Sequence, residues 1–177
     1  MKGQTGWPVP GRRLIFCLLA LLLFVWGPVV VMAQDELFGV VVKVVDGDSV
    51  MVRVQKTFVQ VRLWGIDTPE WRQPSSQAAK AFTRSRLLNQ TVRLVSRDKD
   101  RYGRLVALVY SGEVLVNGEL VKAGLAWVHV YYCREDPFCD QWRQWEREAK
   151  KQEIGLWQDP EPIPPWIWKQ RQQKGNE

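Results

Sequence analysis

From Phe38 to Tyr110 the chain is a succession of short apolar runs, each bounded by turn residues, and this limits its fold more than any other feature. Val40 to Val45 make one run. Val50, Val52 and Val54 recur at every second position in the next, as do Val59, Val61 and Leu63 in a third. That period marks strands with one face buried. The stretch "SSQAAKAFTRSRLLN" breaks it: Ser75 or Ser76 can cap a helix on which Ala78, Phe82, Ser85 and Leu88 or Asn89 fall near one face. Two more strands follow, "TVRLV" and "RLVALVY", the second turning at Ser111-Gly112 into "EVLV". A helix over "VNGELVKAG" stops at Gly124, placed to take the left-handed conformation that ends helices. A last helix starts at Asp136-Pro137 and runs to Gly155, with Trp142, Trp145, Ala149 and Leu156 along its inner face.

Five short strands with one inserted helix and two helices afterwards are too few for a sandwich and suit a small, partly open barrel. The expected fold class is therefore α+β, a five-stranded OB-type β-barrel. The length of 177 residues allows one such domain and a targeting segment, not two ordinary domains.

Residues 1–33 read as that segment. Lys2, Arg12 and Arg13 precede the uncharged stretch "LIFCLLALLLFVWGPVVVM", and Val31 and Ala33 fit the small-residue rule for signal peptidase, so cleavage is expected after Ala33. The alternative is an uncleaved anchor, since the apolar stretch is nearly long enough to span a bilayer. Either way the protein is expected outside the cytoplasm, secreted or periplasmic, or held at the membrane facing outward. Three of the 25 basic residues and none of the 19 acidic ones precede Gln34, so the net charge falls from +6 to +3 beyond it. So mild a basicity permits a polyanionic partner without requiring one.

Beyond the segment the cysteines are Cys133 and Cys139, within "CREDPFC". In an oxidising compartment such a pair reads as a disulfide. A zinc site is disfavoured because four ligands are wanted and the chain has one histidine, His129, set in an apolar run that suggests a structural role. Residues 34–157 make the barrel domain and 158–177 a proline- and tryptophan-rich tail. Its prolines suggest an extended segment, with Trp166 and Trp168 sharing one side and packing onto the domain.

Three stretches carry chemistry when taken together: "DGDS" at 46–49, "RLWGIDTPE" at 62–70 and "DKDRYGR" at 98–104. Each has a local explanation. Asp-Gly suits a hairpin turn, with Gly47 supplying positive φ; Asp67 or Thr68 can cap a helical turn; Tyr102-Gly103 can be a turn. Jointly they supply carboxylates for a hard cation, a further carboxylate for proton transfer and two guanidinium groups. Phosphodiester hydrolysis needs that combination: a Lewis acid on one phosphoryl oxygen, arginine forks on the others, and a base near the attacking water.

The order and spacing of "DGD", "R…DTPE" and "YGR" resemble those of the thermonucleases, the staphylococcal-nuclease-like domains, over roughly Val40 to Trp157, and "PIPPWIWK" resembles the ending of many exported bacterial members. The resemblance implies an OB barrel and calcium-dependent cleavage of DNA and RNA to products ending in 3′-phosphate. It implies calcium ligation by the carboxylates of Asp48 and Asp67 and the backbone carbonyl of Thr68, and catalysis by Arg62, Glu70 and Arg104. Asp46 would orient the metal site, and Tyr102 and Tyr132 would contact substrate. Ser49 stands where threonine is usual, and "AWVHVYY" carries a valine in place of the first of two binding-site tyrosines. No stable protein partner is expected, and the protein is expected to be a monomer. The rival reading, an inactive OB module that only binds nucleic acid, should lack part of this residue set.

Overall fold

The computed structural model describes residues 36–134 and 136–174, together with Gly3. Apart from Gly3, the targeting segment 1–33 lies outside the described residues, and all the described strands and helices belong to the unit Gln34–Glu177. The strands are β1 (Glu36–Val44), β2 (Ser49–Val54), β3 (Thr57–Leu63), β4 (Ile66–Asp67), β5 (Thr91–Lys99), β6 (Leu105–Ser111), β7 (Val114–Leu115) and β8 (Trp127–Val128). The helices are α1 (Ser76–Leu87), α2 (Val116–Lys122), α3 (Pro137–Lys151) and α4 (Pro165–Lys174).

Five strands close into a barrel. β1 pairs antiparallel with β2 and β5, β2 with β3, and β5 with β6; β3 and β6 then seal the ring in parallel, Val61 opposite Leu105 and Leu63 opposite Ala107. The alternation expected from the sequence selects the interior: Val50, Val52, Val61 and Leu63 are buried, as are Val92, Leu94, Ala107 and Val109. Asn117 of α2 is buried with them, and both its polar atoms are bonded. It accepts from the Val109 N–H at 2.9 Å and donates to the carbonyls of Trp64 at 2.9 Å and Ala107 at 3.2 Å. It thereby ties the chain leaving β3 to β6 at the seam.

Three details depart from the sequence reading. The buried face of α1 is Ala79, Thr83 and Leu87, with Ala78 and Ser85 exposed, because the small side chains lie under the β1–β2 turn. Helix α3 starts as expected, with Asp136 accepting from the Phe138 N–H at 3.0 Å, but ends at Lys151, and Leu156 sits in a separate 3-10 turn, Gly155–Gln158. The tail is helical, not extended, so a third helix follows the inserted one. Pro164 and Pro165 stand at its start, where a missing N–H costs nothing, and from there the chain is free to coil. Trp166 packs against Trp127, Ala149, Leu156 and Trp157. Cys133 and Cys139 are bonded, their Cα atoms 5.3 Å apart, and both are buried.

Candidate active site

The turn between β1 and β2 is drawn tight by its own backbone. The N–H groups of Val45 and Asp46 both donate to the Ser49 carbonyl, at 2.9 and 3.3 Å, and Asp46 Oδ1 accepts from the Asp48 N–H at 3.1 Å. Gly47 does not adopt the positive φ expected of it. Space is the reason for a glycine at this position: a Cβ would lie 2.7 Å from Thr68 Oγ1 and 2.8 Å from Ala79 Cβ. The turn can therefore sit directly on β4 and α1, and the Thr83 hydroxyl holds it from below by donating to the Gly47 carbonyl.

That seating brings Asp48 against Asp67 and Thr68. Asp48 Oδ2 accepts from the Thr68 N–H at 2.7 Å and from its hydroxyl at 2.8 Å. Arg62 lies on β3 between the buried Val61 and Leu63, so it points off the core face. Its Nη1 pairs with Asp48 Oδ1 and its Nη2 with Asp67 Oδ1, and Nη2 also donates to the Ile66 carbonyl at 3.2 Å. Both carboxylates are 3% exposed. Two buried carboxylates face one guanidinium, so this spot carries an excess negative charge that a hard cation would neutralise. The donors fit calcium, being oxygen only: Asp48 in the turn, Asp67 at the end of β4, and the Thr68 carbonyl just beyond it as a third. Among the described residues no group of three or more His, Cys, Asp or Glu gathers to hold a metal, so water would complete the shell.

Arg104 follows a turn built by Asp100. Asp100 Oδ1 accepts from the N–H groups of Tyr102 at 3.0 Å and Arg104 at 2.9 Å, while Oδ2 accepts from Arg104 Nε at 2.7 Å. Burial pushes the Asp100 carboxyl upward, but the Arg104 side chain, these two backbone N–H groups and the arginine charge outweigh it and hold the group below the usual carboxylate value. With Nε occupied, the two Nη groups of Arg104 have no hydrogen-bond partner among the described residues. Strand pairing sets Arg62 opposite Val106, so Arg104 lies at the start of the strand beside it. Tyr102 is exposed, its ring centroid 5.7 Å from the Arg104 guanidinium carbon.

Glu70 is placed by a different device. Its N–H donates to Gln73 Oε1 at 2.9 Å and its carbonyl accepts from the Gln73 N–H at 2.8 Å, which closes a turn. Its carboxylate pairs with Lys169 of α4, at 2.7 Å, and not with Arg62 or Arg104. The structure therefore unites Asp46, Asp48, Arg62, Asp67 and Thr68, sets Tyr102 and Arg104 in the turn that leads into the adjacent strand, and joins Glu70 to the tail. Tyr132 is exposed with its ring 4.5 Å from that of His129.

His129 has the structural part expected. Its N–H donates to the Gly65 carbonyl at 2.9 Å and its Nδ1 accepts from the Tyr131 N–H at 3.2 Å. Burial lowers its pKa, Asp67 opposes the shift, and Arg62 and Lys169 add to it. The unfolded chain thus binds more protons below the ordinary value of 6.5. His129 accordingly stabilises the fold above that pH and loses its contribution as pH falls through the depressed folded value. The melting temperature of His129→Gln should decline less steeply than that of the parent protein between pH 6.5 and 5; equal slopes would remove His129 as a source of the acid sensitivity.

The staphylococcal nuclease homologue family matches residues 60–159, more than half of the chain. This chain belongs to that family. It is 37% identical over 154 residues to an uncharacterized endonuclease of Escherichia coli O157:H7, covering 86% of this chain and 95% of the relative. A micrococcal nuclease of Shigella flexneri is 34% identical over 146 residues, 77% of this chain and 83% of its own. A thermonuclease of Staphylococcus intermedius is 36% identical over 124 residues, 66% and 73% respectively. Within the family motif, sequence reasoning passes over Asp100, although an aspartate four residues before Arg104 at a turn is the signal for such a hold. It misses Gln73 and Lys169 as well. Nothing local marks them, because their partners lie across the fold.

Proposed function

We propose that this nuclease is an exported, calcium-dependent phosphodiesterase that cuts DNA and RNA to products ending in 3′-phosphate. The observation that carries the reading is the meeting of two buried carboxylates, Asp48 and Asp67, on the Arg62 guanidinium. Asp48, Asp67 and the Thr68 carbonyl would hold the cation, which when bound supplies a Lewis acid for one phosphoryl oxygen. Arg62 and Arg104 offer guanidinium donors to the remaining oxygens, where charge grows in the transition state. Glu70 orients or deprotonates the attacking water, and the 5′ oxygen leaves in line. Asp46 holds the backbone behind Asp48, and Asp100 holds Arg104 at the substrate. Tyr102 and Tyr132 give exposed rings for bases, as in other single-strand binders. The Cys133–Cys139 disulfide and the charge pattern of residues 1–33 favour action outside the cytoplasm.

The test is digestion of plasmid DNA, a single-stranded oligonucleotide and RNA with calcium, with magnesium and with excess chelator. Protein recovered from outside the cytoplasm should begin at Gln34, cut all three in calcium, do poorly in magnesium, and leave 3′-phosphate by mass spectrometry. Full activity in chelator would remove the metal assignment. Binding without cleavage in calcium would turn the reading to a nucleic-acid-binding module.

A further inference from the structure

The tail is docked with more care than a surplus segment needs. Trp166 sits in the cluster of Trp127, Ala149, Leu156 and Trp157, its ring 5.9 Å from that of His129. The side chain that closes the Glu70 turn, Gln73, also donates from Nε2 to the Ile163 carbonyl at 2.5 Å, so the turn and the tail are fastened by one residue. One turn along α4 from Trp166 comes Lys169, whose Nζ reaches Glu70 Oε1 at 2.7 Å.

As a stabilising contact this pair does little. The Lys169 side chain is 50% exposed and that of Glu70 is 34% exposed, and ion pairs so open to water contribute little to stability. The consequence is that an incoming anion can take the ammonium at small cost. A nucleic-acid strand brings a phosphate on each side of the one being cut, and the pair also occupies an oxygen of the carboxylate that must address water.

We propose that Lys169 is a phosphate-binding residue of the substrate track, parked on Glu70 until a phosphate flanking the scissile bond takes it over. The proposal rests on the nuclease reading of the site. It makes α4 part of the substrate-binding surface through Lys169, while Trp166 stays packed, partly buried, against the domain.

The experiment measures initial rates on a fluorogenic single-stranded DNA oligonucleotide in saturating calcium, from 50 to 200 mM KCl. Each lysine contact to a phosphate adds about 0.7 to the slope of log affinity against log salt for a single strand. Lys169→Gln should raise KM several-fold, leave kcat no lower, and flatten the salt dependence of kcat/KM. Across this fourfold range the parent should then lose about 2- to 3-fold more kcat/KM than the variant. Lys169→Arg should keep the parental slope, and so should Lys56→Gln, which removes a lysine from the β2–β3 turn at the opposite end of β2 from Ser49. A fall in kcat with KM and salt slope unchanged would overturn the proposal and make Lys169 a support for Glu70 alone. An equal flattening in Lys56→Gln would reduce the effect to net charge and overturn it too. A parent protein inactive on the oligonucleotide in calcium would instead overturn the nuclease reading on which the proposal stands.

Discussion

Arg104→Ala is expected to lose about 10²- to 10³-fold in turnover, the usual cost of removing one preorganised donor to developing charge, while its melting temperature stays close to the parent's. The two effects separate because the side chain fills no core. Its removal leaves Asp100 with the N–H groups of Tyr102 and Arg104 still bonded to it, so no buried acceptor is orphaned. Arg104→Lys should recover little. The present geometry uses Nε for Asp100 and leaves two Nη groups outward, and an ammonium cannot hold the aspartate and present a planar fork together. Parental turnover in Arg104→Ala would take this residue out of the reaction.

Asp48→Ala should fail differently, in the fold before the chemistry. One carboxylate, itself almost wholly buried, accepts from the Thr68 N–H, the Thr68 hydroxyl and the partly exposed Arg62 guanidinium. Breaking one side of a buried charged network costs about 3 to 5 kcal/mol. For a domain of this size that is a fall of about 10 °C or more in melting temperature, measurable without any metal. Asp46→Ala removes a single, half-buried bond to the Asp48 N–H and should cost no more than about 1 to 2 kcal/mol. The calcium concentration giving half-maximal residual activity should rise in Asp48→Ala. A stable Asp48→Ala protein with an unchanged calcium midpoint would remove Asp48 from both roles.

The strands are legible in the sequence because burial of one sheet face writes itself into every second residue, as in Val50, Val52 and Val54. The Asp136-Pro137 start of α3 and the Gly124 end of α2 are legible because caps obey local stereochemistry. What escapes is set by neighbours distant in sequence. Nothing near Gly47 says that Thr68 and Ala79 will crowd it, so the local pattern suggests a turn glycine where a contact glycine stands. The prolines of the tail suggest stiffness continuing past them, whereas only the residues before Trp166 feel it. At the site, motif spacing names the carboxylates and arginines. It cannot say that Glu70 will be met by a lysine from the far end of the chain.

The parallel seam of the barrel also orders events in time. Val61 pairs with Leu105, and Leu63 with Ala107, although a helix and a strand intervene between them in the sequence. Contacts between such distant segments close late and slowly, because loop entropy must be overcome before they return any energy. Arg62 and Arg104 lie on the two sides of that seam, so activity in a refolding experiment should lag the recovery of secondary structure. A chain with its barrel still open would have sheet, helix and every residue of the proposed site, and is expected to cut nothing.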